Sequence, residues 1–103
     1  MFEIITTKIF LKQVETLSEN SKSILKDKIS LLKINPLRNK RLRGHSYFVY
    51  RIRFSDRRKE KRAIYSVEGK YVIMICILDR NKEYKDLRKF LKNLPQVHFS
   101  LSH

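Results

Sequence analysis

The sequence predicts an α+β fold in which a small, twisted, mainly antiparallel four-stranded sheet packs on helices, in the order β-α-α-β-β-β-α. Two changes in the spacing of apolar residues along the chain lead to this prediction. Apolar residues recur every three to four positions early in the chain, every second position from residue 47, and every three to four positions again from residue 84. The chain has 103 residues, the size of one domain, so we expect a single domain over residues 1–95 and a loose tail over residues 96–103.

The first third of the chain predicts one strand and a helical hairpin. Residues 2–6 (FEIIT) are short and rich in β-branched side chains, which favours a strand. Two apolar runs at helical spacing follow, separated by a polar break at residues 18–21, and they predict two short helices. Pro36 ends the second helix, because the residue before a proline is pushed out of the helical region. The two runs are Phe10, Val14 and Leu17, then Ile24, Leu25, Ile29 and Leu32.

The second predicted strand begins at Tyr47 and has one apolar and one basic face. Its even-numbered residues are apolar, whereas Arg51 and Arg53 project from the other face. The polar residues 55–60 predict a turn, and residues 62–67 predict the third strand. We therefore expect the two arginines to stand on a stiff strand beside a neighbouring strand.

The fourth predicted strand covers residues 71–78 and follows a tight connection at Glu68–Gly69. It is apolar on both faces, as is typical of a strand covered on both sides, so we expect it inside the sheet. Cys76, the one cysteine, lies in this run, and we expect it to be a small core residue. A last helix over residues 84–94 is predicted to end at Pro95.

Positive charge is the most informative feature of the composition. The chain has 24 Lys and Arg residues against 10 Asp and Glu residues, a formal net charge of +14. Residues 38–62 alone contain eleven basic residues and two acids. Solubility is served by interspersed charges of both signs, so a block of one sign favours a nucleic-acid partner.

Several classes of protein are disfavoured by what the sequence lacks. The apolar run at residues 71–78 is much shorter than the roughly 20 residues of a membrane-spanning helix, and the first twenty residues resemble no targeting signal. We therefore expect a cytoplasmic protein with no membrane partner. The three histidines show no metal-ligand spacing, and the two glycines form no phosphate-binding loop, so we expect no metal and no cofactor.

The predicted basic face has the geometry of a phosphate-binding surface. Side chains two residues apart on a strand lie roughly 6.5 Å from each other, close to the spacing of phosphates along a nucleic-acid strand. Arginine suits this role because its planar fork donates two parallel hydrogen bonds to phosphate. Arg51 and Arg53, with Arg62 at the start of the next strand, could therefore hold an RNA backbone.

Four short blocks of this sequence resemble, in order, those of RelE-type toxins of the RelE/ParE superfamily. They are residues 39–44 (NKRLRG), 50–54 (YRIRF), 62–65 (RAIY) and 79–84 (DRNKEY). The resemblance spans nearly the whole chain and implies a small twisted antiparallel sheet packed on helices. It also implies an enzyme that cleaves messenger RNA in the ribosomal A site, where a ribose 2′-hydroxyl attacks the adjacent phosphate without a metal.

The resemblance assigns roles to five residues. Arg51 and Arg53 would hold or activate the scissile region, and Arg62 would neutralise charge in the phosphorane-like transition state. Arg80 would act on the leaving group or the phosphate. Tyr84 would stack on a base and support proton transfer, although its spacing also fits a buried helix face.

The resemblance further implies two macromolecular partners, the ribosome with its messenger RNA and an acidic, RelB-like antitoxin that covers the positive face. No small-molecule cofactor is implied. We expect the other basic residues of the central segment to bind RNA. They are Arg38, Lys40, Arg41, Arg43, Arg57, Arg58, Lys59 and Lys61.

Two departures from the family pattern bear on the chemistry. Some RelE toxins have lysines where this chain has Arg51 and Arg53, and arginine is a poor general base. Many relatives have a histidine at the position of Asp79, which here could instead cap the last helix. Two other functions stay open: a ParE-like poison of DNA gyrase and a non-catalytic basic module that binds RNA or the ribosome.

Overall fold

The computed structural model describes residues 1–42 and 49–80, and its α+β architecture confirms the predicted fold class. One sheet has the strand order β1-β5-β4-β3-β2. β1 runs parallel to β5, and the other neighbours are antiparallel. The predicted last helix and the tail over residues 96–103 lie outside the described residues, and the single domain over residues 1–95 stays a prediction. The elements are β1 Glu3–Thr6, α1 Lys8–Glu15, α2 Glu19–Leu32, β2 Lys40–Leu42, β3 Val49–Asp56, β4 Lys59–Glu68 and β5 Tyr71–Asp79.

Three details of the predicted fold need correction. The described residues contain five strands rather than four, because Lys40–Leu42 adds a short edge strand beside β3. The turn expected over residues 55–60 has only two residues between the strands, since β3 continues to Asp56 and β4 begins at Lys59. The second helix ends at Leu32, before Pro36.

Side-chain caps explain where both helices begin. The hydroxyl of Thr7 accepts a hydrogen bond from the Phe10 amide at 3.0 Å, and that of Ser18 accepts one from the Ser21 amide at 3.2 Å. Each cap satisfies an amide that has no partner within its helix. Neither helix in the described part of the chain is long and apolar enough to cross a membrane.

Both faces of the sheet carry a buried apolar cluster. The cluster on the helix face contains residues from α1, α2 and the sheet, namely Phe10, Leu17, Leu25, Leu32, Tyr50, Ile52, Phe54, Ala63, Tyr65, Val72, Met74 and Ile77. The opposite cluster consists of Leu42, Val49, Ile64, Ile73, Ile75, Cys76 and Leu78. β5 contributes to both clusters and lies between β1 and β4, which confirms the prediction of an interior strand. Cys76 is fully buried, as expected.

α1 seals the half of β5 that extends beyond β1. β1 ends opposite Met74, and the next residue, Ile75, is an extra residue in the β4–β5 ladder. The Thr7 hydroxyl donates to the Ile75 carbonyl at 2.6 Å. The Gln13 side chain then accepts from the Ile77 amide at 2.6 Å and donates to its carbonyl at 2.8 Å. The Gln13 side chain thus makes the two hydrogen bonds to Ile77 that a neighbouring strand would make, and it fixes α1 against the sheet.

Candidate functional site

Three of the predicted catalytic arginines share one face of the sheet, which we call the arginine face. Arg53 on β3 pairs directly with Arg62 on β4, and Arg51 lies two residues along β3, opposite Ile64. Directly opposed side chains have Cβ atoms about 4.5–5.5 Å apart, and like charges at that distance destabilise a sheet. The pairing of Arg53 with Arg62 therefore concentrates positive charge on one face of the sheet.

Glu60 joins the arginine face to Arg80, and the sequence analysis did not single it out. It lies on β4 two residues before Arg62, so both side chains project from the same face. One carboxylate oxygen is 3.0 Å from a terminal guanidinium nitrogen of Arg80, and the other is 3.9 Å from Nε of Arg53. The Arg80 amide also donates to the Glu60 carbonyl at 3.2 Å. Glu60 therefore brings the predicted catalytic residues Arg53 and Arg80 to one carboxylate.

The tip of the β3–β4 hairpin consists of two arginines in an unusual backbone conformation. Arg57 has a φ of 49° and Arg58 a φ of 67°. Positive φ at both central residues characterises a type I′ turn, which usually contains Asn and Gly because other residues are strained there. Arg58 is exposed and lines a groove beside the hairpin. Strain of this kind concentrates at functional positions, so the tip is a candidate contact for a ligand.

Arg57 has a structural contact that Arg58 does not share among the described residues. Its guanidinium donates to the carbonyl of Thr16, the C-cap of α1, at 3.1 Å and lies 3.5 Å from the carboxylate of Asp56. Asp56 is buried and accepts a hydrogen bond from the Ser18 amide at 3.0 Å. The hairpin tip is thereby attached to the turn between the helices.

These contacts change the acidity of Asp56. The pKa of its carboxyl group falls to about 2, mainly because the Ser18 amide donates to the charged form, and the nearby Ser21 side chain lowers the pKa further. The positive charge of Arg57 adds a smaller effect in the same direction, and burial opposes it. Asp56 therefore stays ionised and holds the hairpin in place.

Two basic grooves meet at Arg53 and Lys28. The hairpin groove, with a volume of about 1270 Å³, runs between α2, the β3–β4 hairpin and the end of β5, and Arg58, Lys59 and Arg80 line it. The edge groove, of about 530 Å³, lies where β2 meets β3. The Lys28 ammonium donates to the Arg53 carbonyl at 2.9 Å and stands between them. The basic residues of the edge groove are Lys28, Arg38, Lys40, Arg51 and Arg53.

The remaining predicted RNA-binding residues are divided between the two faces. Lys40 pairs with Arg51 and shares the arginine face. Arg41 pairs with Tyr50, and Lys61 pairs with Phe54, so both project from the helix face. The Lys61 ammonium lies 2.7 Å from the Asp79 carboxylate. Arg43 and Tyr84 lie outside the described residues.

Tyr65 holds the segment that carries Arg38 and Lys40 against the sheet. Its hydroxyl donates to the Pro36 carbonyl and accepts from the Asn39 side chain at 3.0 Å. Its ring stacks on Tyr50 with 5.4 Å between the ring centres. Burial raises the pKa of Tyr65 to about 12, so the phenol stays neutral and serves as an anchor.

The described residues offer no evident metal centre. No group of three or more His, Cys, Asp or Glu side chains within residues 1–42 and 49–80 lies close enough to hold a metal ion. Positive charge at the site comes instead from guanidinium and ammonium groups.

Taken together, a helical hairpin, a sheet with one parallel edge strand and a face of arginines define the chain as a small α+β protein with the RelE toxin fold. Solved structures with this fold include the toxin–antitoxin complex RelBE of E. coli, at a TM-score of 0.66 and 23% identity over 80% of this chain and 100% of the other. Isolated E. coli RelE toxin matches at a TM-score of 0.66 and 20% identity, over 91% of this chain and 99% of the other.

A double arginine-to-alanine mutant of E. coli RelE in the free state gives a TM-score of 0.67 at 18% identity, over 93% of this chain and 97% of the other. No protein-family model and no curated protein sequence matches the chain. At these identities the comparisons establish the RelE-like fold, and function has to be argued from the site.

Proposed function

We propose that this protein is the toxin of a type II toxin–antitoxin system, a ribosome-dependent endoribonuclease that cleaves messenger RNA. The observation that carries the proposal is the arginine face, where Arg53 opposes Arg62 and where Glu60 links Arg53 to Arg80. The likeness to the RelE toxin fold supports the same function.

The two basic grooves supply a path for the RNA backbone. A single strand crossing from the edge groove to the hairpin groove would pass Arg51, Arg53 and the hairpin tip in turn. Consecutive arginines on one strand face match the spacing of consecutive phosphates, and Arg58 and Lys59 extend the charged track. The grooves therefore fit a single-stranded polyanion of several nucleotides.

Cleavage would proceed by attack of a ribose 2′-hydroxyl on the adjacent phosphate. Negative charge grows on the phosphoryl oxygens in the transition state, and fixed guanidinium groups can stabilise it without reorganising. We assign this role to Arg62 and Arg80, with Arg51 and Arg53 holding the scissile region. Tyr84 is proposed to stack on a neighbouring base.

Control of such an enzyme would come from an acidic, RelB-like antitoxin in the cytoplasm. The chain carries a formal net charge of +14, and a negatively charged partner placed over the arginine face would block the path of the RNA. The E. coli RelE toxin has been solved in complex with its antitoxin, which supports an equivalent partner here.

The test is cleavage of messenger RNA on purified ribosomes, read by primer extension. Arg62→Ala and Arg80→Ala should each slow cleavage by about 100-fold, the usual cost of losing one preorganised charge donor. Arg38→Ala, in the edge groove, should mainly weaken binding, because a peripheral phosphate contact acts on substrate and transition state alike. Lys12→Ala, on the exposed surface of α1, removes the same charge and should cleave normally.

Thermal melting of each variant shows whether the protein is folded. If folded Arg62→Ala and Arg80→Ala proteins cleave as well as the wild type, the assignment of these arginines is wrong. The chain would then be better explained as a ParE-like protein or a binding module.

A further inference from the structure

The proposed cleavage needs a group that removes the proton from the 2′-hydroxyl. Arginine is a poor general base, so Arg51 and Arg53 are unsuited to this role. Tyr65 is buried with a raised pKa, and Asp56 is buried and bonded to the Ser18 amide. Asp79 is engaged by the ammonium of Lys61. These groups are therefore poorly placed or poorly suited to act as the base.

Glu60 differs from these groups in position and access. It projects from the arginine face, lines the hairpin groove, and its side chain is 30% exposed, so a substrate can reach it. Its two carboxylate oxygens lie 3.0 Å from Arg80 and 3.9 Å from Arg53. Among the described residues, no other carboxylate forms an ion pair with either of these arginines.

Ion pairing alone does not explain this arrangement. Exposed salt bridges contribute little to stability, and the Arg53 and Arg80 side chains are 59% and 65% exposed. A carboxylate in an RNA-binding groove also repels phosphate. Glu60 therefore weakens substrate binding with little gain in stability, which is reasonable if its negative charge takes part in the reaction.

We propose that Glu60 is the general base of the cleavage reaction, an inference that rests on the proposed endoribonuclease function. The Glu60 carboxylate takes the 2′-hydroxyl proton while the bond from O2′ to phosphorus forms and the bond from phosphorus to O5′ breaks. The departing O5′ takes a proton from water, and the hydroxide so formed removes the proton from Glu60. The products are a 2′,3′-cyclic phosphate and a 5′-hydroxyl end.

The ion pairs give this base a further function. Before the reaction, Arg53 and Arg80 share the negative charge of Glu60. When the carboxylate accepts the proton it becomes neutral, at the moment when negative charge accumulates on the phosphoryl oxygens. The two guanidinium groups then act on the phosphorane instead, so proton transfer and charge stabilisation are coupled.

The decisive variant is Glu60→Gln, which keeps the shape and removes the basic oxygen. We expect single-turnover cleavage on ribosomes to slow by about 100-fold or more, the usual contribution of general base catalysis. Binding of an RNA with a 2′-deoxy nucleotide at the scissile position should be unchanged or tighter, because a repelling charge is gone. Glu60→Asp should recover part of the rate, and Glu19→Gln, an exposed glutamate paired with Lys22, should behave as wild type.

The dependence on pH separates a base from a positioning residue. With Glu60 taking the proton, the wild-type rate should not depend on hydroxide and should change little between about pH 6 and 8. The residual rate of Glu60→Gln should rise about tenfold per pH unit, because hydroxide must then take the proton.

Three results would overturn the inference. Glu60→Gln cleaving within about threefold of the wild type would show that no proton is transferred to this residue. Parallel losses of cleavage and of 2′-deoxy RNA binding, with an unchanged pH profile, would make Glu60 a positioning residue. Absence of cleavage by the wild-type protein itself would instead reject the proposed function, and the inference with it.

Discussion

Arg58→Gly should make the protein more stable and, at the same time, a weaker RNA binder. Arg58 has a φ of 67° at the second central position of the hairpin turn, where glycine is preferred. A left-handed backbone destabilises the fold by about 1–2 kcal/mol at a residue with a side chain. Glycine avoids this strain but loses more entropy on folding, which reduces the gain by about 0.5–1 kcal/mol. The net gain should be about 0.5–1 kcal/mol, which raises the Tm by about 2–8 °C in a domain of this size.

The effect on binding should have the opposite sign. Each phosphate contact on single-stranded RNA contributes about −0.7 to the slope of log affinity against log salt, and the wild-type slope should be about −2 or steeper. Loss of the Arg58 contact should make the slope shallower by about 0.7. The assays are thermal melting and RNA or ribosome binding at several salt concentrations.

Arg58→Lys is the matched control, because it keeps both the charge and the strained backbone. It should melt and bind like the wild type. A lower Tm for Arg58→Gly would show that the arginine side chain stabilises the turn, contrary to our reasoning. A higher Tm with an unchanged salt slope would place Arg58 outside the RNA interface.

Two further predictions concern acid stability and the effect of the protein in cells. The folded-state pKa of Asp56, about 2, is below its ordinary value of 3.8, so ionised Asp56 stabilises the fold above about pH 4 and this stabilisation is lost as the pH falls towards 2. Asp56→Asn should therefore melt below the wild type at neutral pH, with a difference that narrows in acid; a difference independent of pH would contradict the assignment. Expression without an antitoxin should stop protein synthesis, measured by pulse labelling, before DNA breaks appear, and early breaks with normal labelling would indicate a gyrase poison.

The alternation of β3 was sufficient to predict the arginine face. Apolar and basic residues alternate along β3, so Arg51 and Arg53 had to project from the face opposite Tyr50, Ile52 and Phe54, as they do. Arg62 lies on the same face of the next strand. Its direct pairing with Arg53 depends on the register, which in a hairpin is set by the length of the turn.

Turn length is also the reason that Glu60 was missed. The polar character of residues 55–60 predicts a turn over the whole stretch, and no Asn-Gly or other glycine signal marks a two-residue turn within it. In the structure a turn of two arginines lets β4 begin at Lys59. Glu60 becomes a strand residue opposite Ser55, with a carboxylate oxygen 3.9 Å from Nε of Arg53. The three residues of β2 are similarly too few to show a period. The early start of β4 and the short strand β2 both depend on pairing with β3, and the local sequence pattern does not predict that pairing.

Repulsion between the paired side chains of Arg53 and Arg62 should make the stability of the fold depend on ionic strength. Dissolved salt shortens the range of this repulsion, to about 10 Å at 0.1 M, so the Tm of the isolated protein should rise with salt concentration. The proposed RNA binding should weaken under the same conditions. By thermodynamic linkage, any polyanion seated on this face also protects the folded chain. Under the proposed function, the protein freed from its antitoxin should therefore melt at a lower temperature than the complex.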